Sequence, residues 1–171
     1  VMLSAETAVG KHPVNAVKTM NDVCLEAEKS PTAKVSHHRL HENFEGIDET
    51  IALSSMYAAN HLGARVVATL TQTGKTALWM SRISSNIAIF AMSDNYKTLK
   101  KVTIYRGVYP CYIDKTSADD WNDVNSHVIE NLEDRAEVTN GDIVIVTKGM
   151  HKDKSGGTNL MKILRVGDGN Y

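Results

Sequence analysis

A three-layer α/β/α fold, with a mostly parallel five-stranded sheet and an antiparallel last strand, is predicted by three observations. Short apolar runs alternate with amphipathic segments from residue 47 onward, in the order α-β-α-β-α-β-α-β-β. The runs RVVATL (65–70) and DIVIVT (142–147) are apolar without alternation, as strands covered on both faces are. The last run follows its neighbour across a glycine-containing loop with no helix between, which fits a hairpin and not a parallel crossover.

The elements follow in order. Val1 to Ser4 reads as a short apolar strand. A turn over residues 6–12 comes next, with Gly10 permitting an unusual backbone. Pro13 opens a helix, and Val17, Met20, Cys24 and Ala27 fall on one face of it. It ends near Lys29, because Pro31 cannot continue it. Residues 30–46 lose periodicity and gain polarity, the pattern of a linker between a unit at 1–29 and a larger one at 47–171. Asp48 and Glu49 then lie in a first helical turn, where negative charge meets the positive end of the dipole. Ile47, Ile51, Ala58 and Leu62 give that helix an apolar face, and Gly63 ends it. After the strand RVVATL and the loop TQTGKT comes a helix from about Ala77 to Ile83. IAIFAM (87–92) is the second strand, and residues 94–105 form a helix closed by Gly107. VYPCYI (108–113) is the third strand, confined by Pro110 to an edge. Ser117 and Asp120 form a capping box. The helix they open carries Trp121, Val124, Val128, Leu132 and Ala136 on one face. Asn140-Gly141 is a turn, DIVIVT the fourth strand, and Met161 to Val166 the last.

Composition bounds the function. The 171 residues suffice for one large domain, or for one domain with a remnant of another. A net charge of −1 exerts no pull toward nucleic acid or a membrane surface. No basic patch is interleaved with aromatic residues, which also disfavours nucleic acid. No apolar run is long enough to span a bilayer, and no signal peptide is evident. Cys24 and Cys111 stand far apart without CxxC pairing. They read as buried reduced thiols rather than a disulfide or zinc site, which points to a cytoplasmic protein. The opening Val1-Met2-Leu3-Ser4 has neither an initiator Met nor a polar lead-in, so an excised or partial chain is expected.

The segment that carries chemistry is Thr71-Gln72-Thr73-Gly74-Lys75-Thr76. It lies at the carboxyl end of a strand and just before a helix, where open α/β sheets bind ligands. Three hydroxyls, a glycine and one ammonium surround a helix N-terminus, whose free N–H groups attract a phosphate. The alternative is an ordinary βα loop capped by Thr73. Gly74-Lys75-Thr76 also matches the tail of a P-loop, but Thr69 stands where that motif needs its first glycine. One phosphate group is therefore a better fit than a triphosphate. A second loop, Lys152 to Asn159, holds Lys154, Ser155, Gly156, Gly157 and Thr158. It would converge on the same ligand if its strand neighbours the first; a plain hairpin loop is equally compatible. His37, His38 and His41 cluster without a carboxylate or cysteine at ligand spacing, so no metal site is assigned. His12, His61, His127 and His151 have no evident partner. No nucleophile motif is present. Asp119, Asp120 and Asp123 begin a helix, which dipole complementarity explains better than acid–base work.

These motifs together resemble the pyruvate kinase family. VMLSAETAVGKHPVNAVKTM is similar to the segment that forms the last strand and helix of that family's catalytic (β/α)8 barrel, with Ala5 where glycine is usual and His12 where an aromatic residue often stands. TQTGKT, IFAMS, YRGVYP, GDIVIVTKG and SGGTN follow the family's C-terminal domain in order, with Leu160 in place of a frequent threonine. AANHL, SRISS and IFAMS look closest to the bacterial branch that responds to AMP and sugar monophosphates. The resemblance implies a βα remnant of a barrel at residues 1–29 and an allosteric domain at 47–171. It implies a parent enzyme transferring a phosphoryl group from phosphoenolpyruvate to ADP with Mg2+, and with K+ in some members. Its catalytic residues would lie upstream, leaving Ser4, Glu6 and Thr7 near the mouth of the active site. It implies that Thr71 through Thr76 grip an effector phosphate, that Lys154 to Thr158 close over the rest of a sugar phosphate or AMP, and that the whole enzyme is a homotetramer.

Overall fold

The computed structural model describes residues 1–30, 44–114, 121–149 and 157–169, with backbone only for 121–123. Its helices are α1 (Ala5–Ala8), α2 (Pro13–Glu28), α3 (Ile47–Leu62), α4 (Lys75–Ser81), α5 (Tyr96–Val102) and α6 (Trp121–Asp134). Its strands are β1 (Val66–Leu70), β2 (Ala88–Ser93), β3 (Val108–Tyr112), β4 (Ile143–Gly149) and β5 (Thr158–Arg165). The five strands form one sheet in the order β3-β2-β1-β4-β5. The first three pairings along this order are parallel, and β4 with β5 is antiparallel, as the missing crossover helix requires.

Alternate side chains of each strand supply two cores. One face packs Val66, Ala68, Val144 and Val146 against Val124, Val128, Ile129 and Leu132 of α6. The other packs Val67, Ala91 and Ile145 against Ala52, Met56 and Ala59 of α3, Ala77 and Met80 of α4, and Val102 of α5. Both faces are thus covered, and every residue of β1 is buried. Fully burying each large apolar side chain stabilises the fold by about 1.5–3 kcal/mol. Pro110 does lie on an edge strand, where its missing N–H interrupts no central ladder. Gly63 ends α3 with φ 63°, a left-handed cap at which the N–H groups of Gly63 and Ala64 both donate to the Ala59 carbonyl.

Several expectations are corrected. Residues 1–4 form no strand, and the expected turn contains the short helix α1. A lone strand has no ladder to satisfy its backbone, whereas Thr7 and Ala8 donate locally to the Ser4 carbonyl. The apolar face of α3 is Ala52, Met56 and Ala59, while Ile47 and Leu62 are exposed. Apolar residues occur nearly all round this helix, and the small alanines are the ones that let it approach the sheet. Helix α4 starts at Lys75 rather than Ala77, and α5 is confined to Tyr96–Val102. The last strand begins earlier, at Thr158. Ala136 lies beyond α6 at φ 57° and is exposed, whereas Val124, Val128 and Leu132 are buried as expected. On α2, Met20 and Cys24 are half-buried but Val17 and Ala27 are exposed. The capping residues Ser117 and Asp120, Asp119, His37, His38, His41 and His151 lie outside the described residues, as does the side chain of Trp121.

Cys111 is buried, with its Sγ 2.9 Å from Asn131 Oδ1. Burial pushes its thiol pKa up, and the Arg135 charge only partly opposes this. Cys24 is half-buried, not buried as expected, because α2 packs no sheet over it. Only the thiolate attacks an alkylating agent. Iodoacetamide at mildly alkaline pH should therefore modify Cys24 well before Cys111, and peptide mass mapping of a time course checks it. Leu132→Ala, at a fully buried position on α6, should cost about 2–5 kcal/mol, read as a lowered denaturation midpoint.

Candidate functional site

From β1 the chain winds outward through β2 to β3, then returns across the sheet to β4 on the other side of β1. The pair β1–β4 is therefore a topological switch point, and the carboxyl end of such a pair is where open α/β sheets bind ligands. The register sets Thr69 opposite Thr147 there. Both are fully buried, and their hydroxyl oxygens have no hydrogen-bond partner among the described residues. Residues 71–76 leave this end of β1, and residues 157–158 return to this end of β4, where Thr158 pairs with Gly149. β1 and β4 are neighbours, which is the condition set for the two loops to converge, and the rest of the second loop lies outside the described residues.

The 71–76 loop is held from three sides. Thr71 N–H donates to the Met92 carbonyl (3.0 Å), and the Thr71 hydroxyl accepts from Gly74 N–H (2.9 Å). From α5, the Thr98 hydroxyl donates to the Gln72 carbonyl, and Lys101 Nζ donates to the Thr73 carbonyl at 3.2 Å. In a trans peptide the N–H opposes the C=O, so the Gln72 contact directs Thr73 N–H away from α5. The first N–H groups of α4 lack intrahelical acceptors. Gly74, not Thr73, is the residue before α4, with φ 77° and no side-chain cap. A Cβ there would also meet Val102 Cγ1 at 2.7 Å, so α5 packs where only glycine fits.

Two side chains of the loop have partners that sequence spacing did not suggest. Thr76 Oγ1 lies 2.8 Å from Thr158 Oγ1 in a buried hydroxyl pair. Lys75 Nζ lies 2.8 Å from Asp48 Oδ2, whose side chain is 7% exposed against 49% for the lysine. The angles of this ion pair fall short of a hydrogen bond. Asp48 was assigned to the dipole of α3, where it does lie in the first turn. Its role against Lys75 is tertiary, and Thr98 and Lys101 are likewise distant in sequence.

The remaining candidates fall elsewhere. At the neck of the second loop, a Cβ on Gly149 would meet the Gly157 carbonyl oxygen at 2.6 Å, so the two strands approach there as only glycine allows. Lys154, Ser155 and Gly156 lie outside the described residues. Ser4, Glu6 and Thr7 share the first turn of α1, where the Thr7 hydroxyl donates to the Ser4 carbonyl (3.0 Å). Among the described residues they form no hydrogen bond to residues 71–76. His61 Nδ1 lies 2.9 Å from the Tyr57 carbonyl, and its ring packs on Tyr57 at 4.0 Å. Among the described residues no group of three or more His, Cys, Asp or Glu could hold a metal ion. None of their helices is long and apolar enough to cross a membrane.

Removing one hydroxyl of the Thr76–Thr158 pair leaves the other buried and unpaired. Thr76→Val and Thr158→Val should each cost about 1–3 kcal/mol, and the double variant clearly less than their sum. Urea denaturation of the four proteins checks this; strict additivity would refute the coupling.

Residues 49–164 match the family described as "Pyruvate kinase, alpha/beta domain". The chain is 46% identical over 167 residues to a pyruvate kinase of Buchnera aphidicola subsp. Baizongia pistaciae, and 47% identical over 167 residues to pyruvate kinase II of Salmonella typhimurium. Each alignment covers 97% of this chain and 34% of the relative. A pyruvate kinase of Staphylococcus haemolyticus is 30% identical over 169 residues, with 98% and 28% covered. The chain thus spans about a third of the length of the first two relatives. The matched segment includes the whole sheet up to Leu164 and the bases of both loops, and by it this chain belongs to the pyruvate kinase alpha/beta domain family.

Proposed function

We propose that this chain is the effector-binding, regulatory part of a pyruvate kinase, and that the 71–76 loop holds the phosphate of a sugar phosphate or of AMP. The observation that carries the reading is the β1–β4 switch point, at whose carboxyl end Thr76 and Thr158 tie the bases of the two loops together. Thr71, Gln72, Thr73, Gly74, Lys75 and Thr76 would supply hydroxyls, amides and one ammonium to a single phosphate group. Lys154 to Thr158 would close over the remainder of the ligand.

The whole enzyme would transfer a phosphoryl group from phosphoenolpyruvate to ADP, chemistry that rests on positioning and charge neutralisation. Its Mg2+, and K+ where used, would be held by residues outside this chain. The described residues present no carboxylate cluster suited to a divalent ion, so no step is assigned through one here. Residues 1–29 would belong to the catalytic barrel, with α2 as its last helix. The exposure of Val14, Val17, Val23 and Leu25 on α2 supports this, since such side chains fit against a larger body. Self-association as a homotetramer is the expectation for the whole enzyme in the cytoplasm, and exposed Ile47, Tyr57 and Leu62 on α3 are compatible with a subunit contact.

A second reading, a structural module with no ligand, is favoured by one fact. Gly74 N–H, Lys75 Nζ and the Thr76 hydroxyl each already have a partner within the protein.

Thermal denaturation with AMP, ribose 5-phosphate or glucose 6-phosphate separates the two readings. A ligand at ~100 times its dissociation constant should stabilise the chain by about 2.7 kcal/mol. Thr71→Val combined with Thr73→Val should abolish the shift. A midpoint unmoved by every phosphate ester would support the structural module. Pyruvate formation from phosphoenolpyruvate and ADP by the purified chain would overturn its assignment as non-catalytic.

A further inference from the structure

Asp48 and Lys75 are 27 residues apart in sequence, and their pair joins the first turns of α3 and α4, helices that also share one core. Lys75 is the first residue of α4 and belongs to the candidate phosphate loop. Asp48 is the second residue of α3 and is buried, with room made by Gly46, whose Cβ would meet Asp48 Oδ1 at 2.6 Å. An ammonium at this loop is the group an incoming phosphate would recruit, yet a carboxylate already holds it.

We infer that Asp48 and a bound phosphate group compete for Lys75, so that Asp48 sets the strength of anion binding at the 71–76 loop. This rests on the reading of that loop as an anion site. Three observations make the exchange feasible. Lys75 is half exposed, and its four-carbon stem lets the ammonium swing without moving the backbone. The pair is poorly aligned, so it lacks the strength of a charge-assisted hydrogen bond. Asp48 also has a second source of stabilisation, its place in the first turn of the 16-residue helix α3, where the dipole favours negative charge. Its carboxylate is therefore not left without positive potential when Lys75 departs, although a buried anion losing its counter-ion is penalised. That penalty weakens anion binding and transmits occupancy to the first turn of α3. Asp48 is thus a tuning residue that need not touch the ligand.

The test is a double-mutant cycle on the full chain, with inorganic phosphate as the probe and isothermal titration calorimetry at low ionic strength as the readout. Asp48→Asn should bind phosphate about fivefold tighter than the natural chain, the scale of a partly exposed ion pair. Lys75→Met should bind more weakly, and Asp48→Asn should have no effect in the Lys75→Met background. If the gain from Asp48→Asn persists in that background, the carboxylate acts through its field alone and the competition is refuted. The competition also fails, with the anion site intact, if the natural chain binds phosphate but Asp48→Asn or Lys75→Met leaves affinity unchanged. No binding heat in any of the four proteins would sink both the competition and the anion site. Circular dichroism establishes that each variant folds, and Asp48→Ser replaces Asp48→Asn if the latter does not.

Discussion

The parallel pairing of β1 with β4 is the constraint on which the other features depend. Residues 66–69 lie opposite 144–147, and every one of these side chains is buried. Backbone groups enclosed in this way must be paired with one another, which locks the two strands side by side. From this seam β2 and β3 extend in one direction and β5 in the other. The connections that leave the seam at its carboxyl end therefore run to opposite sides, which makes this end a topological switch point.

Polarity is concentrated at that end. The sheet interior is aliphatic through Val66, Val67, Val144 and Ile145, and then gives way to Thr69 and Thr147, with Thr71, Thr76 and Thr158 around them. Buried hydroxyls contribute little to stability unless paired. Thr76 and Thr158 satisfy each other, and Thr71 satisfies Gly74. The loop is consequently ordered by its own hydrogen bonds and by α5, before any ligand is considered. Such preorganisation lowers the conformational cost of binding. It also makes each loop group one that a ligand must share or displace.

Much of this was legible in the residue order. The alternation of apolar runs with amphipathic segments gave the right element types and the antiparallel last strand. Pro110 marked an edge, and Gly63 a helix end, because each residue has a backbone restriction that acts locally. Errors fell where local signals were ambiguous. The buried face of α3 was misread because isoleucine and leucine outrank alanine in hydrophobicity. Close approach to the sheet instead selected the small Ala52 and Ala59. Val1 to Ser4 looked like a strand because apolar composition cannot report whether a neighbouring strand exists to pair with it.

The amino-acid sequence alone determined the class of the fold, the membership suggested by its ordered motifs, and the six-residue loop whose hydroxyls, glycine and lysine suit a phosphate. Those properties reside in neighbouring residues and in their periodicity, which a chain carries whether folded or not. The strand order, the seam between β1 and β4, the Thr76–Thr158 pair and the burial of Asp48 against Lys75 were decided only by the tertiary structure. The seam, the hydroxyl pair and the ion pair join residues between 27 and 82 positions apart. No local pattern encodes such a contact, because it exists only once packing of the whole sheet has set the distances.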